Sequence, residues 1–108
     1  MATSVPPARA VPGRSSATDS TAAEVTALAT AMEALDAKDF AQALSIARTT
    51  RRAHPTGALR PELTLLEIEA LCGLSRVDEA QDVVDAMPQV DRTALVRERL
   101  RRTCISLK

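Results

Sequence analysis

The chain has 108 residues and balances 14 Lys and Arg against 14 Asp and Glu, with one His, two Cys, one Phe and neither Trp nor Tyr. At roughly 100 to 200 residues per domain it makes one small domain, which buries on the order of 60% of its unfolded surface. Hydrophobic residues are 45% of the total, yet no apolar run approaches the roughly 18 residues a membrane span needs, so no membrane insertion is expected.

Residues 1–19, MATSVPPARAVPGRSSATD, hold three of the six prolines among small residues without periodic apolar spacing. A disordered N-terminal arm is expected there. The segment lacks the apolar stretch of about 7 to 15 residues that marks a secretory signal. A cytoplasmic location is therefore the default expectation, with a periplasmic or envelope-associated one if the chain belongs to a longer parent.

From residue 20 to residue 108 the spacing is helical. Thr21 and Glu24 have capping-box spacing, and Val25, Leu28, Met32 and Leu35 recur every three or four residues, which predicts a helix over about 21–37. Asp39 is placed to cap a second helix, with Phe40, Ala43, Leu44 and Ala47 as its apolar stripe and His54 and Pro55 as its stop. Two or three joining residues force these helices to be antiparallel. Pro61 suits the first turn of a third helix, with Leu63, Leu66, Ala70 and Leu71 buried and Gly73 near its end. Ser75 is expected to cap a fourth, with Val77, Ala80, Val83, Val84 and Met87 inward and Pro88 ending it. Asp91 is expected to cap a fifth, with Val96, Leu100, Cys104 and Leu107 on one side. With no sustained two-residue alternation, the domain is expected to be all-α.

Residues 62–91 carry eight acids against Arg76 alone, whereas residues 92–108 carry six bases against Glu98 alone. This division is compatible with a phosphate-binding tail. Pairing between and along solvated helix faces is the preferred reading.

The run EALDAKDFAQAL at 33–44 aligns with ALCGLSRVDEAQ at 70–81, setting Phe40 against Val77 and Ala43 against Ala80 at an offset of 37 residues. Repeats of about 20 to 50 residues signal helical arrays. The layout resembles the tetratricopeptide repeat, in a bacterial type: Phe40 at the aromatic place opening the second helix, Ala43 and Ala80 where paired helices touch, Ala31 at the small place of the first helix, and Pro55 at the closing proline. Lys38 and Ser75 occupy the turn place where the family prefers Gly, Ile68 replaces its usual small residue, and the bulky aromatics of its first helices are missing. The resemblance implies antiparallel αα-hairpin repeats, about two units plus a C-terminal capping helix.

Catalytic chemistry finds few candidates. His54 is the lone His and lies beside Pro55, the three glycines stand apart, and Cys72 and Cys104 have no second ligand at metal spacing. No enzyme activity, cofactor or metal is expected. In adjacent repeat units, the helices carrying Cys72 and Cys104 would lie side by side. A disulfide between these residues would then contribute roughly 3 to 4 kcal/mol by chain entropy. Without a signal peptide, two buried free thiols are the preferred expectation.

The resemblance implies a protein–protein interaction or scaffolding module whose first helices line a partner groove. By position, the groove residues are Leu28, Met32, Leu35, Leu65, Glu69 and Cys72. The stripe Val25, Leu28, Met32 and Leu35 is also what the core of a compact bundle would show, and core is the preferred reading. Partners expected are a protein segment, a second copy of the chain or the rest of a longer one. The alternative is a small helical regulator contacting nucleic acid through residues 92–102, which is disfavoured because no aromatic is available there for base stacking.

Overall fold

The computed structural model describes the backbone of residues 12–105 and the side chains of residues 21–105. Among the described residues there are five α-helices: α1 (Pro12–Asp36), α2 (Phe40–Ala53), α3 (Arg60–Gly73), α4 (Val77–Ala86) and α5 (Ala94–Leu100), with a 3-10 turn at Gln89–Asp91 before the last. The architecture is all-α, built of antiparallel helical hairpins, with α1 against α2, α2 against α3 and α3 against α4. No described helix is long and apolar enough to cross a membrane.

The arm expected over residues 1–19 lies outside the described residues as far as residue 11, and α1 is helical from Pro12 rather than from Thr21. Glu24 accordingly does not close a capping box. Its fully buried carboxylate accepts a hydrogen bond from the Leu59 N–H at 3.1 Å. Leu107, expected on the apolar side of the fifth helix, also lies outside the described residues.

Local chemistry explains the boundaries of α2 and α3. The Asp39 carboxylate accepts from the Gln42 N–H at 3.3 Å, satisfying one of the free donors of the first turn of α2. His54 then ends α2 just before Pro55, and Pro61 sits in the first turn of α3. The two helical hairpins turn in the same way. Lys38 (φ 65°) and Ser75 (φ 61°) are left-handed. Around them, the Asp39 and Arg76 N–H groups donate to the Ala34 and Leu71 carbonyls, and those of Lys38 and Ser75 donate to Leu35 and Cys72. This is the paired hydrogen-bond closure of a Schellman turn, and it repeats at the offset of 37 residues read in the sequence.

Two expected caps are corrected. Ser75 does not cap α4, because it is the left-handed residue of the turn, and Arg76 precedes the helix without a side-chain cap. Asp91 does not cap α5. Its buried carboxylate is taken by Arg60, and Thr93 caps the helix instead by accepting from the Val96 N–H. Consequently α5 is a short helix, and residues 101–105 continue it as turns.

Helix α3 is the centre of the core. Leu63, Ile68, Ala70 and Leu71 are fully buried, and Leu65 and Leu66 nearly so. Each large aliphatic side chain taken from water is worth about 1.5 to 3 kcal/mol. Ala43 and Ala80, the corresponding residues of α2 and α4, are also fully buried, so small side chains stand at equivalent places in both hairpins. Gly73 lets the Phe40 ring close over the end of α3: a Cβ there would come within 2.4 Å of a ring carbon. Val77, expected to face inward, is exposed because it stands at the N-terminal tip of α4.

Candidate functional site

Among the clefts on the surface of the described residues, three bear on a candidate site. The one formed by the first helix of each hairpin runs across α1, α3 and α5 and is lined by Met32, Leu35, Asp36, Phe40, Leu66, Glu69 and Arg99. Its floor is apolar and its rim is charged. Met32 on α1 is 50% exposed, and Val25, two turns earlier on the same helix, is 51% exposed. Leu28 and Leu35 are only partly covered, packing against the buried cluster of Ala31, Ala47 and Leu66. The stripe therefore divides, Leu28 and Leu35 leaning on the core while Val25 and Met32 are open to solvent.

On the rim, Arg99 of α5 donates to the Glu69 carboxylate of α3 at 3.0 Å. Asp36 adds a second carboxylate. An apolar floor with a rim carrying more acid than base can take an amphipathic segment bearing a cation beside its apolar face.

Of the six groove candidates, Met32, Leu35 and Glu69 are brought together here. Leu28 borders them as a half-buried residue. Leu65 is a correction: at 2% exposure it belongs to the central core, because α3 is covered on nearly every side and has little face left for a groove. Cys72 is joined to Cys104 by a disulfide, with Cα atoms 5.6 Å apart, and no cysteine is free. This corrects the expectation of two free thiols. Phe40, Leu66, Asp36 and Arg99 were not read as cleft residues. Only the pairing of α5 against α3, a long-range relationship, puts Arg99 there.

The second cleft lies at the α2–α3 connection and is lined by Thr21, Glu24 and residues 53–58. Glu24 fastens that connection to α1 through the Leu59 N–H, while its Oε2 atom makes no hydrogen bond. Gly57 packs directly on the carboxylate. The half-buried His54 belongs to this loop, with its backbone N–H donating to the Thr50 carbonyl as α2 ends.

The third lies between α2 and the α3–α4 turn and includes Arg48, Arg52 and Arg76. Two of these cations are already matched. Arg48 donates to the buried Glu67 at 2.8 Å, and that hydrogen bond, with the nearby charge, holds its guanidinium above the ordinary arginine value. Arg76 pairs with Glu79, whose carboxyl is held below the usual carboxylate range by that hydrogen bond first and by Arg48 after it. The basic C-terminal region is matched in part. Arg92 donates to the Val84 carbonyl, Arg99 pairs with Glu69, and Arg101 and Arg102 pair with Glu98.

Among the described residues, no three His, Cys, Asp or Glu side chains gather in a way that could hold a metal ion. Compared with protein-family models, with curated proteins and with solved structures, the chain gives no match.

Proposed function

We propose that the chain is a non-enzymatic protein-interaction module of tetratricopeptide type, taking an amphipathic partner segment in the cleft between α1, α3 and α5. The carrying observation is that Met32 and Val25 are half exposed on the helix that walls a cleft lined by Leu35, Phe40 and Leu66 among charged residues, where a compact bundle would have covered them. The Asp36 carboxylate on the rim, which has no partner among the described residues, favours a segment with Lys or Arg beside its apolar side chains. The same face serves a second copy of the chain if no separate partner exists.

A nucleic-acid role for residues 92–102 has less support. Arg99 is engaged by Glu69, and Arg101 and Arg102 share Glu98, so three of the arginines there are already paired within the chain. As for compartment, a disulfide persists best where thiols are oxidised, which favours a location outside the reducing cytoplasm.

The test is to select binders from a library of displayed peptides and to compare their affinity for the native chain and for Met32→Asp. Peptides enriched in an apolar face with flanking bases, losing about tenfold or more in affinity on Met32→Asp, support the cleft. Peptides that bind Met32→Asp as well as the native chain place recognition elsewhere. Binding that falls steeply with salt and survives the change points instead to the basic tail.

A further inference from the structure

Helix α5 is the least embedded element of the fold. It has seven residues, whereas a helix needs about 12 to 15 to persist alone in water. Its main packing is on α3, where Val96 and Leu100, with Ile105 just beyond the helix, enter the core cluster. The chain leading to it is fixed separately: Arg60 grips Asp91 with two hydrogen bonds of 2.9 and 2.8 Å, and the Arg92 guanidinium donates to the Val84 carbonyl at 2.7 Å. From Thr93 onward, besides that packing, two side-chain bonds reach back to α3. One is the Arg99–Glu69 ion pair, which is open to solvent and weak for that reason. The other is the covalent bond between Cys72 and Cys104.

The two sulfurs are not equivalent. Cys104 is exposed and Cys72 is half-buried, and the Cys104 N–H donates to the Cys72 Sγ at 3.2 Å. A thiolate arriving from solvent meets Cys104 first. Its attack on the Cys104 Sγ breaks the disulfide and expels Cys72 as a thiolate, whose charge the same N–H stabilises. With a dithiol reductant, the second thiol then displaces Cys104 from the mixed disulfide. The dithiol closes into a cyclic disulfide, losing two electrons, and Cys72 and Cys104 each gain one proton.

We propose that the Cys72–Cys104 bond is a redox latch: its reduction by a dithiol releases residues 93–105 from α3 while α1 to α4 stay folded. Release uncovers the apolar surface that Val96, Leu100 and Ile105 occupy, and it withdraws Arg99 from the rim of the α1–α3–α5 cleft. The latch stands whatever that cleft binds.

The full chain is digested briefly with trypsin, oxidised and after dithiothreitol, and the cuts are mapped by mass spectrometry. The variant Cys72→Ser/Cys104→Ser is treated likewise without reductant. Arg97 and Arg99 lie inside α5, and Arg48 and Arg51 inside α2 serve as the internal reference. The expected result is a rise of about tenfold or more in cleavage after Arg97 and Arg99, in the reduced chain and in the variant, with cleavage after Arg48 and Arg51 unchanged. Unchanged cleavage after Arg97 and Arg99 overturns the latch. So does a parallel rise at all four sites, which would make the disulfide a staple of the whole fold.

Discussion

Lys38 and Ser75, 37 residues apart, hold the same left-handed backbone, φ 65° and 61°, in turns closed by equivalent hydrogen bonds. An L-residue in that region costs about 1 to 2 kcal/mol, and Gly removes the cost while giving up about 0.5 to 1 kcal/mol of unfolded-chain entropy. Lys38→Gly and Ser75→Gly are therefore each expected to raise stability by about 0.5 to 1 kcal/mol in urea unfolding, and to add when combined. Destabilisation by both changes would contradict the shared turn.

The α2–α3 interface is locked by a different device. Glu67, 1% exposed, accepts from Arg48 Nε at 2.8 Å and from Arg51 Nε at 2.9 Å. Both guanidinium groups still reach solvent, so removing the acid leaves cations that can rehydrate rather than buried unpaired charge. Glu67→Gln is expected to cost about 1 to 3 kcal/mol, whereas Arg48→Met or Arg51→Met alone costs less because the other arginine remains. Chemical denaturation of the three variants checks the order.

Gly57 leaves room for the Glu24 carboxylate. A Cβ at this position would stand 2.2 Å from Glu24 Oε1, and the fully buried acid has little freedom to move. Gly57→Ala is expected to destabilise by about 1 to 3 kcal/mol, as overpacking does. In a Glu24→Ala background the same change should cost less than about 0.5 kcal/mol. A double-mutant cycle measures the coupling, and equal costs in the two backgrounds would contradict the contact.

Acid weakens the α2–α4 face. Glu79 is held below its ordinary value by Arg76 and then by Arg48. Its folded value lies under its unfolded one, so its contribution is complete above the ordinary glutamate range and is lost as pH falls through the lowered value. Glu79→Gln should therefore flatten the acid side of the stability profile and leave its slope near neutrality unchanged. Thermal melts between pH 3 and pH 7 show whether it does.

The helical hairpins were legible because their signals are local. Asp39, Pro55, Pro61 and Pro88 act on the residues beside them, and the alignment of Ala43 with Ala80 reflects two equally buried positions. Where a long-range partner competed with a local rule, sequence failed. Asp91 has the chemistry of a cap, but Arg60, 31 residues away, takes its carboxylate, and Thr93 does the capping. Glu24 has capping-box spacing but is drawn to Leu59. Ser75 also looked like a cap, although the turn required a left-handed residue at that place. Three of the seven residues lining the cleft, Met32, Leu35 and Glu69, followed from the groove positions that the repeat resemblance implied. Leu65 was misplaced because α3 is buried on nearly all sides, so helical spacing alone could not say which of its residues face a groove.

The most direct test of the cleft is to titrate the isotopically labelled full chain with a selected amphipathic peptide and to follow its amide resonances. The account predicts that the largest shifts fall on Met32, Leu35, Leu66, Glu69 and Arg99, the residues that line the cleft on α1, α3 and α5. Shifts confined to α2 and α4, or to the arginines of residues 97–102, would contradict it.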